Sequence, residues 1–195
     1  MPKNKVKFGL KNCYFAKATI DPETNTATYA TPVAWPGAVN LSLDPQGDVV
    51  RFRADNTNYW VGQSNNGYEG DFESAKTPEA FLTEILNYIK DANGALIESS
   101  DLECNPFAFL FEIDGDKHAT RGVLYNCVAT RPSVASQTTE ESTEPVTDTS
   151  TLTASPIYNA ALGKNITKAF IDQDDGGTAY ENWFTQVYQP VAPTP

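Results

Sequence analysis

The stretch Phe107-Ala-Phe-Leu-Phe-Glu-Ile-Asp-Gly-Asp116, with Val123-Leu-Tyr-Asn-Cys-Val-Ala129 after it, decides the fold class. Phe107, Phe109, Phe111 and Ile113 recur at every second position, the period of a strand. Asp114-Gly115-Asp116 then marks a turn, because Asp and Gly tolerate the positive φ angles of a tight reversal. Val123, Tyr125, Cys127 and Ala129 alternate on the way out, so the pair predicts a long hairpin.

The same period spreads outward from this hairpin. Val39, Leu41 and Leu43 alternate with Asn40 and Ser42 up to Asp44-Pro45, and Val50, Phe52 and Ala54 alternate with Arg51 and Arg53. Tyr68, Gly70 and Phe72 alternate with Glu69, Asp71 and Glu73, after an expected turn at Asn65-Asn66-Gly67. Thr147, Thr149, Thr151 and Thr153 are β-branched and predict a strand ending at Ser155-Pro156, behind a Ser/Thr/Glu-rich polar loop over about 133–145.

Two segments change to helical period. Thr77-Pro78 reads as an N-cap with proline at the first helical position, and Phe81, Leu82, Ile85, Leu86 and Ile89 share a face up to Asn93-Gly94. Thr178 and Glu181 have capping-box spacing ahead of Tyr180, Trp183, Phe184, Val187 and Tyr188, and Pro190 ends that segment. The expected fold is mainly β (α+β): one domain over 1–195, a β-sandwich with a flanking α-helix. An extended polar loop is expected within it, and about 1–19 and 189–195 are expected as arms.

Bulk chemistry removes several function classes. The net charge is −11, from 25 acidic and 14 basic side chains. The largest basic group, Lys3, Lys5, Lys7, Lys11 and Lys17, is confined to the first residues, so a phosphate-gripping surface is not expected. The three cysteines, Cys13, Cys104 and Cys127, are odd in number and lack CxxC spacing; they read as reduced thiols in the core of a chain folded in a cytoplasm. No signal peptide follows the basic start, and no run reaches the ~20 apolar residues of a membrane span.

Catalytic and metal motifs are not found. The one histidine, His118, is expected as a surface residue beside the hairpin turn. Neither GxSxG nor HExxH occurs. Asp114-Gly115-Asp116 and Asp172-Gln-Asp-Asp-Gly176 suggest calcium, but the EF-hand register places Leu110 or Ile171 first and, for the second, Asn182 last. Plain turns are the expectation for both, and Glu140-Glu141 belongs to a solvated loop. No cofactor and no metal site is expected. Residues 55–67 stand apart: Tyr59 and Trp60 lie in a polar, turn-rich stretch, either as anchors of an interface or tucked beneath their own sandwich.

A longer pattern runs through the chain: Lys5-Val-Lys-Phe-Gly-Leu-Lys-Asn-Cys-Tyr-Phe-Ala-Lys-Ala-Thr19, Pro36-Gly-Ala-Val-Asn-Leu-Ser-Leu-Asp-Pro45, Ala54-Asp-Asn56 and Asn66-Gly-Tyr-Glu-Gly-Asp-Phe72. It continues with Phe109-Leu-Phe-Glu-Ile-Asp-Gly-Asp116, Tyr125-Asn-Cys-Val-Ala-Thr-Arg-Pro132, Ala154-Ser-Pro156 and Tyr180-Glu-Asn-Trp-Phe-Thr-Gln-Val-Tyr188. In this order the segments resemble the major tail proteins that form the tail tube of long-tailed phages with non-contractile tails. Gln46 departs from an expected acid, and Val49-Val50-Arg51 departs from an expected polar run.

The resemblance implies a structural virion protein that is not an enzyme. It implies hexameric rings stacked into a hollow conduit for DNA ejection, assembled in the bacterial host cytoplasm. The implied partners are other copies, a tape measure protein, a tail terminator and tail tip proteins, with DNA passing unbound and no membrane insertion. An acidic bore would repel phosphate, and Glu69, Asp71 and Glu73 are the candidates to line it. A tube of a phage-tail-like bacteriocin fits the same residues. A β-sandwich binding module, such as a carbohydrate-binding tail adhesin using Tyr59, Trp60 and Trp35 as exposed aromatics, is the reading from a different class.

Overall fold

The computed structural model describes residues 4–138 and 145–193. Glu140-Glu141, the middle of the polar loop and the last two positions of the 189–195 tail lie outside the described residues. The first half of the chain forms β1 (Lys7–Asp21), β2 (Thr26–Tyr29), β3 (Val33–Trp35), β4 (Ala38–Gln46), β5 (Val49–Ala54), β6 (Thr57–Gln63), β7 (Gly67–Ser74) and α1 (Glu79–Glu84). Then follow β8 (Ile89–Lys90), β9 (Leu96–Ile97), β10 (Phe107–Gly115), β11 (Thr120–Ala129), β12 (Asp148–Ala154), β13 (Ile157–Asn159), β14 (Lys164–Ile166), β15 (Lys168–Asp172) and α2 (Gln173–Glu181).

The main sheet is antiparallel in the order β2-β1-β10-β11-β12-β7-β4, with β3 added to β1 and β15 to β11. The expected hairpin is β10–β11, with Ile113 opposite Thr120, but Asp114 and Gly115, expected in its turn, belong to β10, and Gly115 pairs with Lys7 of β1. Strand β10 is buried on both sides, which is why it reads as a nearly continuous apolar run. Phe107, Phe109 and Phe111 enter one core with Phe15, Trp35, Phe72, Phe81 and Leu152. Ala108 and Leu110 enter a second with Val123, Tyr125, Ile157 and Trp183.

The sheet folds over the first core, so that Phe72 of β7 meets Phe109 of β10 with ring centroids 4.9 Å apart. Trp35 sits between them and α1, 4.9 Å from Phe72 and 4.2 Å from Phe81. This is the expected mainly-β sandwich with a small flanking helix. Trp35, expected among exposed aromatics, is 1% exposed, and its indole N–H donates to Ser74 at 3.1 Å. The cysteines are free, Cys13 and Cys127 buried and Cys104 half-buried.

Several local expectations change, each for a backbone reason. Residues 7–21, most of them within the segment of about 1–19 expected as an N-terminal arm, form β1, which is paired on both edges in the sheet. Two bulges hide its period: the register against β10 shifts between Lys7 and Leu10 and between Lys11 and Tyr14, around Gly9 (φ 74°) and Asn12 (φ 50°). A third shift lies between the Phe107 and Phe109 pairings, so Val123 and Tyr125 face the second core while Cys127 faces the first. A fourth turns Val39 to solvent and leaves Leu41 and Leu43 on the core. Pro45 does not end β4; it pairs with Tyr68 on an edge strand, where a missing N–H is tolerated.

The first helix is shorter than its apolar period. Phe81, Ile85 and Leu86 are buried as expected, but α1 stops near Ile85, Asn87 takes φ 56°, and Ile89 is exposed in the β8–β9 hairpin. Pro78, not Thr77, occupies the N-cap. Asn93-Gly94 is that hairpin's turn, where the Asp91 carboxylate accepts from the Asn93 and Ala95 N–H groups. The second helix begins earlier and ends at Glu181, so Asp174, Asp175 and Gly176 are helical and not a plain turn, whereas Trp183, Phe184, Val187 and Tyr188 lie beyond it; Gly177 kinks it at φ 47°. Residues 189–193 lie outside every element, with Val191 exposed.

Candidate functional site

Residues 49–63 leave the sheet as a two-stranded ribbon. β5 and β6 pair only with each other, Val49 opposite Gln63 and Phe52 opposite Trp60. The reversal is Asp55-Asn56, both left-handed at φ 49° and 60°, as a two-residue hairpin turn requires. Asn65-Asn66-Gly67, expected as the turn, is the joint where the chain rejoins the sheet: the Asn66 N–H donates to the Gln46 carbonyl at 2.9 Å. Gly47 (φ 155°) is the matching joint on the outgoing strand, where a Cβ would stand 2.1 Å from the Ser64 carbonyl oxygen. β4–β7 and β5–β6 therefore form one long ribbon, its inner half in the sheet and its outer half a free arm.

The loop expected over 55–67 is thus largely strand, and both candidate residues lie on the arm. Tyr59 is 71% exposed and Trp60 is 56% exposed, which settles their two readings against burial beneath their own sandwich. Strand alternation gives the arm two different faces. Val50, Phe52 and Trp60 share one, with the Trp60 indole lying across Gly62, where a Cβ would meet it at 2.2 Å. Val49, Arg51, Arg53 and Val61 share the other, and neither arginine has an ion-pair partner among the described residues. Tyr59 is the extra residue of a bulge between the Phe52 and Arg53 pairings. A lone two-stranded ribbon is marginal in water, and this one leaves Val49, Val50, Phe52 and Val61 exposed as well.

The second feature is the outer face of the β4-β7-β12 region. The expected alternation holds: Phe72 points into the core, while Glu69 and Asp71 are exposed and Glu73 is half-buried. Pairing sets Asp44 opposite Glu69, Ser42 opposite Asp71 and Asn40 opposite Glu73, with Thr153, Thr151 and Thr149 on the other flank. Thr151 donates to Asp71 at 2.8 Å, and Thr147 donates to Glu73. None of the four carboxylates has a cationic partner among the described residues. Like charges directly opposite, as at Asp44 and Glu69, weaken a sheet, so this face stores repulsion.

The charged groups elsewhere serve the fold. Glu112, 5% exposed at its side chain, meets Arg121 Nε at 2.6 Å and Lys11 Nζ at 3.4 Å. The Arg121 guanidinium also donates to the Tyr180 carbonyl and lies over the rings of Tyr180 (3.8 Å) and Phe184 (4.7 Å). This hub fastens the end of α2 to the sheet. Nothing local in the sequence marks it, because the β10–β11 pair Glu112 and Arg121 is completed by Lys11 and Tyr180 from distant segments.

His118 is half-buried instead of on the open surface, its Nε2 3.0 Å from an Asp174 carboxylate oxygen. Asn4 ties down the same turn, donating to the His118 carbonyl at 2.7 Å and accepting from the Lys117 and His118 N–H groups. Burial pushes the Cys13 thiol up to about 12, and Cys104 and Cys127 are raised for the same reason, so none is a ready nucleophile. Among the described residues no group of three or more His, Cys, Asp or Glu side chains could hold a metal ion, and no helix is long and apolar enough to cross a membrane. No family model and no curated protein matches the chain.

Proposed function

We propose that this chain is a structural subunit whose work is polymerisation: hexameric rings stacked into the tail tube of a long-tailed, non-contractile phage. The observation that carries the assembly reading is the β5–β6 arm, which leaves Phe52, Tyr59 and Trp60 each more than half exposed. Such area costs about 25 cal/mol per Å² in water, and a neighbouring copy is the natural place to bury it. The ordered resemblance along the sequence supplies the phage tail and its partners: tape measure, terminator and tip proteins, met during assembly in the host cytoplasm.

On this reading the face carrying Glu69, Asp71 and Glu73, with Asp44 beside them, turns toward the bore. Phosphate adhering to many stacked rings would stall ejection, since weak contacts multiply along a tube. Unpaired carboxylates repel it instead.

The test is negative-stain microscopy of the purified chain at high concentration, alone and seeded with tail tips. Hollow tubes or rings are expected. A protein that stays monomeric and never joins a tail in infected cells refutes the proposal, and a tube whose bore is lined by Lys and Arg refutes the charge assignment. The exposure of Tyr59 and Trp60 also suits a carbohydrate-binding module, although burial of Trp35 removes one of its three aromatics. Glycan-array binding by the monomer, without tubes, would decide for that reading.

A further inference from the structure

We infer that the β5–β6 arm is clasped on both of its faces by other copies of this chain, through two chemically different contacts. The inference rests on the assembly reading above and says how the arm would be held. An arm that docks by lying on a surface needs one apolar face and keeps its other face polar. This arm does not follow that pattern. Val50, Phe52 and Trp60 make one face largely apolar; the other carries Val49 and Val61, 47% and 54% exposed, beside Arg51 and Arg53. Both edges are also open, because β5 and β6 have no further strand neighbour among the described residues. A ribbon with apolar side chains on both faces buries them only when it is inserted between surfaces.

Charge identifies the occupant. The chain carries 25 acidic against 14 basic side chains, whereas residues 49–63 contain two arginines and a single acid, Asp55. Arg51 and Arg53 outnumber the one acid of their arm and have no ion-pair partner among the described residues, so the surface that complements them is the carboxylate-rich surface of another copy. Their face meets carboxylates, while the Phe52 and Trp60 face meets apolar surface. The contact is head to tail, because the arm of one copy enters a different region of the next.

The experiment compares two full-length variants by the minimum concentration at which seeded polymer pellets. Phe52→Ser alters the apolar face, and Arg51→Glu with Arg53→Glu alters the basic face. Both should leave the far-UV spectrum and melting temperature of the monomer unchanged, because the arm lies outside both cores. Each should raise the minimum concentration by about tenfold or more, the scale of one buried aromatic or one interfacial charge pair. Added salt should weaken polymerisation of the native chain far more than that of an Arg51→Ala, Arg53→Ala variant. If one face tolerates its change, the arm lies on a single surface and the clasp is overturned while the tube reading stands. If the native chain never pellets, the tube reading fails and takes the clasp with it.

Discussion

Truncating Phe81 to alanine should remove much of what α1 contributes to the sandwich. Its ring is fully buried, 4.2 Å from Trp35, 5.2 Å from Phe15 and 5.3 Å from Phe107, centroid to centroid. Burial of this kind costs about 3–5 kcal/mol when lost, the upper end applying where the site cannot collapse. Collapse is hindered here because both ends of α1 are tethered. The Thr77 N–H donates to Asp148 at 2.7 Å before it, and the Asn105 N–H donates to the Ile85 carbonyl at 2.8 Å after it. A loss of about 4 kcal/mol is expected, a large part of the ~5–15 kcal/mol that holds a domain together. At ~2–4 °C per kcal/mol for a chain of this size, the melting temperature should fall by roughly 8–16 °C.

The assay is urea unfolding of the dilute monomer, followed by circular dichroism, with Leu86→Ala and Ile89→Ala beside it. Leu86, 5% exposed, should cost about 2–5 kcal/mol. Ile89, 51% exposed, should cost less than about 0.5 kcal/mol, although helical periodicity alone groups it with the other two. A Phe81→Ala loss under about 1 kcal/mol, or an Ile89→Ala loss equal to that of Leu86→Ala, would show that the helix face is wrongly placed.

Trp60→Ala should melt within about 2 °C of the native monomer and fail to grow tubes, measured by calorimetry and microscopy; an unfolded monomer would place Trp60 in a core. Arg121→Met should cost about 3–5 kcal/mol, because it leaves the buried Glu112 carboxylate without its closest cation and frees the end of α2. Limited proteolysis should then cut first near residues 173–189, and an unchanged pattern would refute the hub. Iodoacetamide should label Cys104 first in the native chain and reach Cys13 and Cys127 only on unfolding, as read by peptide mass. Burial raises the Cys13 thiol from 9.0 in the unfolded chain to about 12, so its stabilising share is whole below pH 9 and is lost as pH rises toward 12. Alkaline unfolding that is unchanged in Cys13→Ala would count against that burial.

Local pattern determined a good deal. The β10–β11 hairpin was legible because strand period recurs on both sides of one short polar stretch, although Asp114 and Gly115 proved to be strand and not turn, and Thr149, Thr151 and Thr153 marked β12 despite its polarity. The inward Phe72 and outward Glu69 and Asp71 followed from alternation alone. Tertiary structure decided what alternation cannot. Bulges at Gly9 and Asn12 broke the period of β1, so a central strand looked like an arm. Whether Trp35 or Trp60 is covered depends on which distant strands lie against it: Trp35 is roofed by β7 and α1, whereas β5 and β6 extend beyond the edge of the sheet. The Glu112–Arg121–Tyr180 hub exists only once β10, β11 and α2 meet. A residue's period is set by its neighbours in the chain, but its burial is set by residues far along it.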